Sequence, residues 1–132
     1  MKKKYRKYIP HLLFFMVLVF LANILTRNGE ICLKENGQVG YGRFSASKLF
    51  KGSTSFKFEY EVDGHFYSGT NYSVYQVFKN QEMLKGKLLP VIYDPENPEN
   101  AKMLISKFDF EKFDRVRPDS LKWLCSSAGI CE

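Results

Sequence analysis

The residues that could do chemistry are few. The chain has 132 residues and two histidines. His11 lies inside an apolar run, which leaves His65 as the imidazole open to a folded domain. It directly follows Asp63-Gly64, and a polar residue at the start of a strand needs no function. A histidine acting on a nucleophile also requires an orienting acid and a placed Ser or Cys. No spacing in the chain selects them. Asp94 and Glu96 are carboxylates of the kind used for acid–base work or as oxygen ligands. A single Asp-x-Glu falls short of the ligand ladder of a calcium loop, however. The three cysteines, Cys32, Cys125 and Cys131, have no C-x-x-C spacing, which disfavours zinc. The expectation is a protein without catalysis, metal or cofactor.

The cysteines say more about compartment than about chemistry. In an oxidising exterior, Cys125 and Cys131 are spaced to close a small loop through Ser126-Ser127-Ala128-Gly129-Ile130, with Cys32 unpaired. A bridge from Cys32 to either of them would close a much longer loop and restrict the unfolded chain more. Free thiols in a reducing compartment are the third arrangement.

The elements that position these residues begin with a charge asymmetry. Formal net charge is +6, from 20 Lys and Arg against 14 Asp and Glu. Lys2, Lys3, Lys4, Arg6 and Lys7 hold five of those cations, so residues 9–132 carry 15 basic against 14 acidic groups. A nucleic-acid partner would need a basic face on the folded domain, and this distribution argues against one. After the basic tail (1–8), Ile9 to Leu25 reads IPHLLFFMVLVFLANIL without a charge. At ~1.5 Å per residue it spans about 25 Å, a short transmembrane segment taken here as 9–26. A cleaved signal peptide is disfavoured because Ala22 is preceded two positions earlier by bulky Phe20. A buried soluble helix is the other alternative. Cations before the span place the N-terminus in the cytoplasm and the rest outside. Residues 27–37 read as a linker.

Residues 38–106 read as a β domain. Gln38 to Ser45 alternates, with Val39, Tyr41 and Arg43 on one face and Gly40, Gly42 and Phe44 on the other. Phe56, Phe58, Tyr60 and Val62 point one way while Lys57, Glu59 and Glu61 point the other. Asp63-Gly64 suits a type I′ turn into a second strand, His65 to Tyr72. Ser73 to Lys85 shifts towards helical spacing, with Gly86 as a cap. Leu88 to Tyr93 is an apolar strand whose Pro90 marks an edge, a bulge or a strand end. Asp94-Pro95-Glu96-Asn97-Pro98 is turn chemistry that gives Asp94, Pro95, Asn97 and Pro98 structural roles. A short strand, Ala101 to Ser106, follows.

Tyr60-Glu61-Val62-Asp63-Gly64 and Phe66-Tyr67-Ser68-Gly69, followed by Gly86-Lys87 and a strand running into Tyr93-Asp94-Pro95-Glu96-Asn97-Pro98, resemble an uncharacterised bacterial family of small membrane-anchored proteins. The similarity covers roughly Val39 to Leu104, and the hairpin and the proline corner are specific in combination. The resemblance implies a β domain of unknown function joined to one or more transmembrane helices, and no reaction or cofactor.

In the C-terminal extension (107–132), Phe108, Phe110 and Phe113 interleave with charges in a pattern that fits a strand or a short amphipathic helix. Pro118-Asp119-Ser120 reads as a helix start with Asp119 or Ser120 as N-cap. Trp123 with Arg115, Arg117 and Lys122 suits either a lipid surface or packing on the β domain. The chain as a whole is expected to be mainly β: an N-terminal transmembrane helix, then a small antiparallel domain, barrel-like or a bent sheet, with one or two short helices. Its expected role is a non-catalytic interaction module on the outer face of the bacterial inner membrane. An immunity or exclusion protein neutralising a toxin or phage factor is the alternative. Tyr67, Tyr72 and Tyr75, with Trp123, are the candidate contacts for a protein partner.

Overall fold

The structure, a computed structural model, describes residues 9–73 and 75–130, without the side chains of residues 9, 26, 73, 75 and 76. The basic cluster and Cys131 lie outside these residues. The chain divides into two units, Met1–Ile31 and Cys32–Glu132.

The described residues of the first unit are helical. Helix α1 runs over Ile9–Asn36, 28 residues, or about 42 Å at ~1.5 Å per residue. It is long and apolar enough to cross a membrane. Leu12 to Leu21 leave the large side chains of this stretch 47–67% exposed, an apolar surface of the kind that lipid covers. The one amide in the run satisfies itself: Asn23 Nδ2 donates to the Val19 carbonyl at 3.0 Å. The residues expected to form a linker, 27–37, are helical as far as Asn36. Arg27, Glu30, Lys34 and Glu35 are good helix formers, so loss of apolar character does not end the helix.

The second unit holds five antiparallel strands, β1 (Gln38–Phe50), β2 (Ser53–Val62), β3 (His65–Ser73), β4 (Leu88–Tyr93) and β5 (Ala101–Met103), in the order β3-β2-β1-β4-β5. The two ends of the sheet nearly meet. Asn71 on β3 donates through Nδ2 to the Met103 carbonyl on β5 at 3.1 Å. The expected barrel-like β domain is therefore what the chain forms, and it falls among the small, partly open barrels of which OB folds are one example.

Strand β2 organises the interior. Its alternation buries Thr54, Phe56, Phe58, Tyr60 and Val62 and leaves Lys57, Glu59 and Glu61 in solvent. Phe44, Phe56, Phe58, Tyr60 and Tyr67 form a continuous column with ring centroids 5.3, 6.1, 5.6 and 5.7 Å apart, within the range of favourable aromatic pairs. The Phe58 ring lies over Gly69, where any Cβ would strike it. The Asp63-Gly64 turn has φ of 52° and 80°, as a type I′ hairpin requires.

Strand β1 is longer than its first alternation implies. A bulge between Phe44 and Ala46 shifts the register with β2, so the buried positions change from Gly42 and Phe44 to Ser47. Beyond it the strand continues to a tight turn at Lys51 and Gly52, with φ of 47° and 81°. Pro90 is tolerated inside β4 because its carbonyl accepts from Leu104 N at 2.8 Å on the side where β5 ends. Its missing N–H lies just beyond the last β4–β5 pair, Val91 and Met103, at the end of the ladder.

The proline corner closes one end of the barrel. Buried Asp94 accepts Glu96 N at 2.9 Å, and its own N–H donates to the Asn100 carbonyl at 3.0 Å. Asn97 N donates to the Asp94 carbonyl at 3.2 Å. The Tyr60 hydroxyl donates to the Pro98 carbonyl, so the hairpin and the corner that form the composite motif are joined physically.

The remaining elements differ from expectation. Two short helices, α2 (Tyr75–Lys79) and α3 (Gln81–Leu84), replace a single helix over 73–85. Asn80 interrupts them and donates through Nδ2 to the Ala128 carbonyl at 2.9 Å. Residues 107–130 form α4 (Lys107–Lys112), a 3₁₀ turn (Asp119–Leu121) and α5 (Trp123–Ala128), more helix than the one or two expected. Ser106 and Asp109 make a reciprocal capping box for α4. Pro118 caps the 3₁₀ turn without a side-chain bond, so Asp119 and Ser120 are not N-caps. The extension is part of the core: Phe110, Phe113, Leu121, Leu124, Ala128 and Ile130 pack with the barrel side chains and Leu33. Arg115 donates to the Gly37 carbonyl at 2.8 Å, and Arg117 donates to the Leu121 and Ile130 carbonyls at 3.1 and 3.2 Å.

Burial pushes the Tyr60 hydroxyl up to about 12, with the charge of Glu99 and then Tyr67 adding to the effect. The unfolded chain releases that proton near pH 10, so the contribution to stability is full below pH 10 and lost as pH rises through 12. Thermal unfolding of the detergent-solubilised chain should show this decline. In Tyr60→Phe the Tyr60 part of the decline should be absent, with a loss of about 1 kcal/mol at neutral pH from the missing hydrogen bond.

Candidate functional site

The candidate site arises where the sheet divides. Strands β1 and β2 pair from Gly42 and Tyr60 up to Phe50 and Ser53. Below that point β1 stays with β4 through Gln38 and Tyr93, while β2 stays with β3 through Val62 and His65. The two ribbons diverge and leave a concavity of about 360 Å³ on the outer face, lined by Tyr41, Gly42, Arg43, Glu59, Tyr60, Glu61, Phe66 and Leu88.

Register orders these side chains. Arg43 stands opposite Glu59 on β2 and Leu88 on β4. Glu61 stands opposite Phe66 on β3. Tyr41 stands opposite Pro90 on β4. Tyr41, Leu88 and Phe66 are 65, 61 and 81% exposed, and large apolar side chains converging on one concave patch make it the candidate site. The chemistry available is stacking and apolar contact at the walls and charge pairing across the floor.

The residues singled out from sequence fall elsewhere. Tyr67 is half-buried and stacks on Tyr60 at 5.7 Å between centroids. Tyr72 is 83% exposed opposite Ser55, above the concavity. Tyr75 begins α2, and its side chain lies outside the described residues. Trp123 packs half-buried against the core, and Arg115 and Arg117 are held by backbone carbonyls, which is the packing arrangement of the two that the sequence allows. Asp63, Gly64, Asp94, Pro95, Asn97 and Pro98 sit in the two turns. His65 is exposed, with Nδ1 3.2 Å from the Asp63 carbonyl. Cys125 is disulfide-bonded and Cys32 is a free thiol. The Cys125–Cys131 pairing reaches beyond the described residues.

The lining residues were missed as a group because they come from four strands. The available signal was local: Tyr41 and Arg43 share one face of β1, as do Glu59 and Glu61 of β2. Searches of family models, curated proteins and solved structures return no match to the chain.

Because these side chains project outward, Tyr41→Thr and Phe66→Thr should each change stability by no more than about 0.5 kcal/mol. Thermal unfolding checks this. A large drop would place those side chains in the fold instead of at a binding surface.

Proposed function

We propose that this protein is a non-catalytic, membrane-anchored binding module that presents its β domain on the outer face of the bacterial inner membrane and engages a protein partner through the concavity between the two ribbons. The carrying observation is the convergence of exposed Tyr41, Phe66 and Leu88 with three charged groups in one depression. Exposed aromatic residues framed by polar groups are the usual composition of a contact surface.

Two features support the outward orientation. Five cations precede the apolar run and Arg27 alone follows it closely, the asymmetry of a cytoplasmic N-terminus. A disulfide at Cys125 suits an oxidising compartment. We also propose kinship with the bacterial family that the hairpin and proline corner resemble, since the Tyr60–Pro98 hydrogen bond gives one physical reason for those segments to occur together.

A photo-reactive amino acid placed at position 41 or 66 in intact cells should yield a discrete higher-mass adduct. The same group at Phe50, an apolar residue 71% exposed on the β1–β2 turn, should not. Adducts from Phe50 alone, or from none of the three positions, would contradict the proposal.

A further inference from the structure

We infer that the concavity receives a single cationic side chain, lysine or arginine, from the partner protein. The inference rests on the reading of this surface as the binding site and names the chemistry that it recognises.

The charges around the depression are not equivalent. Glu59 stands opposite Arg43 across the β1–β2 ladder, and opposite charges at directly opposed positions attract each other. Glu61 lies two residues further along the same face of β2, beyond the last β1–β2 pair at Gly42 and Tyr60. Its register neighbour on β3 is Phe66. On its other side the β1 strand has moved away with β4. The three charged groups sum to one excess negative charge, and Glu61 is the carboxylate that the β1–β2 register leaves without a directly opposed cation.

The walls beside Glu61 suit a cation. Tyr41 and Phe66 line the same depression. Aromatic faces attract ammonium and guanidinium groups, and a carboxylate accepts their hydrogen bonds with charge assistance. Leu88, 61% exposed on the β4 side, offers apolar surface to the methylene stem that carries such a group. A volume of about 360 Å³ is near the lower end of ligand pockets, a scale that fits one long side chain. An acidic side chain in the same place would meet the Glu61 carboxylate.

The full-length chain in detergent micelles, labelled with 3-fluorotyrosine and with the Tyr41 resonance assigned through Tyr41→Phe, provides the test. It would be titrated with lysine blocked as its N-acetyl amide, and with norleucine and glutamate blocked in the same way. The blocked lysine should shift the Tyr41 resonance saturably, while norleucine and glutamate should not. Glu61→Gln should weaken the lysine response at least fivefold, and Glu59→Gln should weaken it less. A norleucine response equal to that of lysine, an unchanged response in Glu61→Gln, or no response to any of the three would overturn the inference. If crosslinks at positions 41 and 66 form in cells while blocked lysine has no effect, the binding surface stands and cation recognition falls. If neither is seen, both fall.

Discussion

The inward column of β2 is what the rest of the domain is built around. Phe56, Phe58 and Tyr60 are continuous with Phe44 of β1 and Tyr67 of β3 in one aromatic stack. The neighbouring elements are shaped to it. Gly69 leaves room for the Phe58 ring, and the corner over 94–100 offers the Pro98 carbonyl to the Tyr60 hydroxyl. The column also fixes what faces outward. Because side chains alternate along a strand, burying Phe58 and Tyr60 obliges Glu59 and Glu61 to face solvent. One constraint thus sets both the core and the floor of the concavity.

A second constraint comes from the end of the chain. The barrel interior is completed by Phe110, Phe113, Leu121, Leu124 and Ile130, so the C-terminal segment is a structural part of the domain. Its arginines serve the backbone. Arg115 holds the Gly37 carbonyl at 2.8 Å, at the junction of α1 and β1. The Lys34–Asp114 pair at 3.1 Å lies close by in sequence. It is exposed and contributes little by itself. The same segment reaches the linker between α2 and α3 through Ala128 and Asn80.

Sequence reading succeeded where period and turn chemistry were uninterrupted. The β2–β3 hairpin was legible because four inward residues keep strict alternation up to an Asp-Gly turn, and the corner was legible from its Pro, Asp and Asn. The upper half of β1 was lost because the bulge at Ser45 reverses inward and outward positions. Lys51-Gly52 is also a weaker hairpin signal than Asp-Gly. The tail of α1 is not legible, because Arg27, Glu30, Lys34 and Glu35 end the apolar pattern without ending the helix. The Ser106-x-x-Asp109 spacing that starts α4 was present in the sequence as a capping box, but the phenylalanines around it fitted a strand equally well. The concavity was not legible at all. It depends on where two ribbons part, and that is a property of register.

On the proposed reading the protein is a binding domain held outside the cytoplasm by α1, and side-specific proteolysis in cells tests this most directly. Spheroplasts carrying the full-length chain with an epitope after Glu132 would be treated with protease before and after lysis. The account predicts loss of the epitope in intact spheroplasts, while a cytoplasmic marker survives. An epitope that stays protected until lysis would place the domain inside the cell and contradict it.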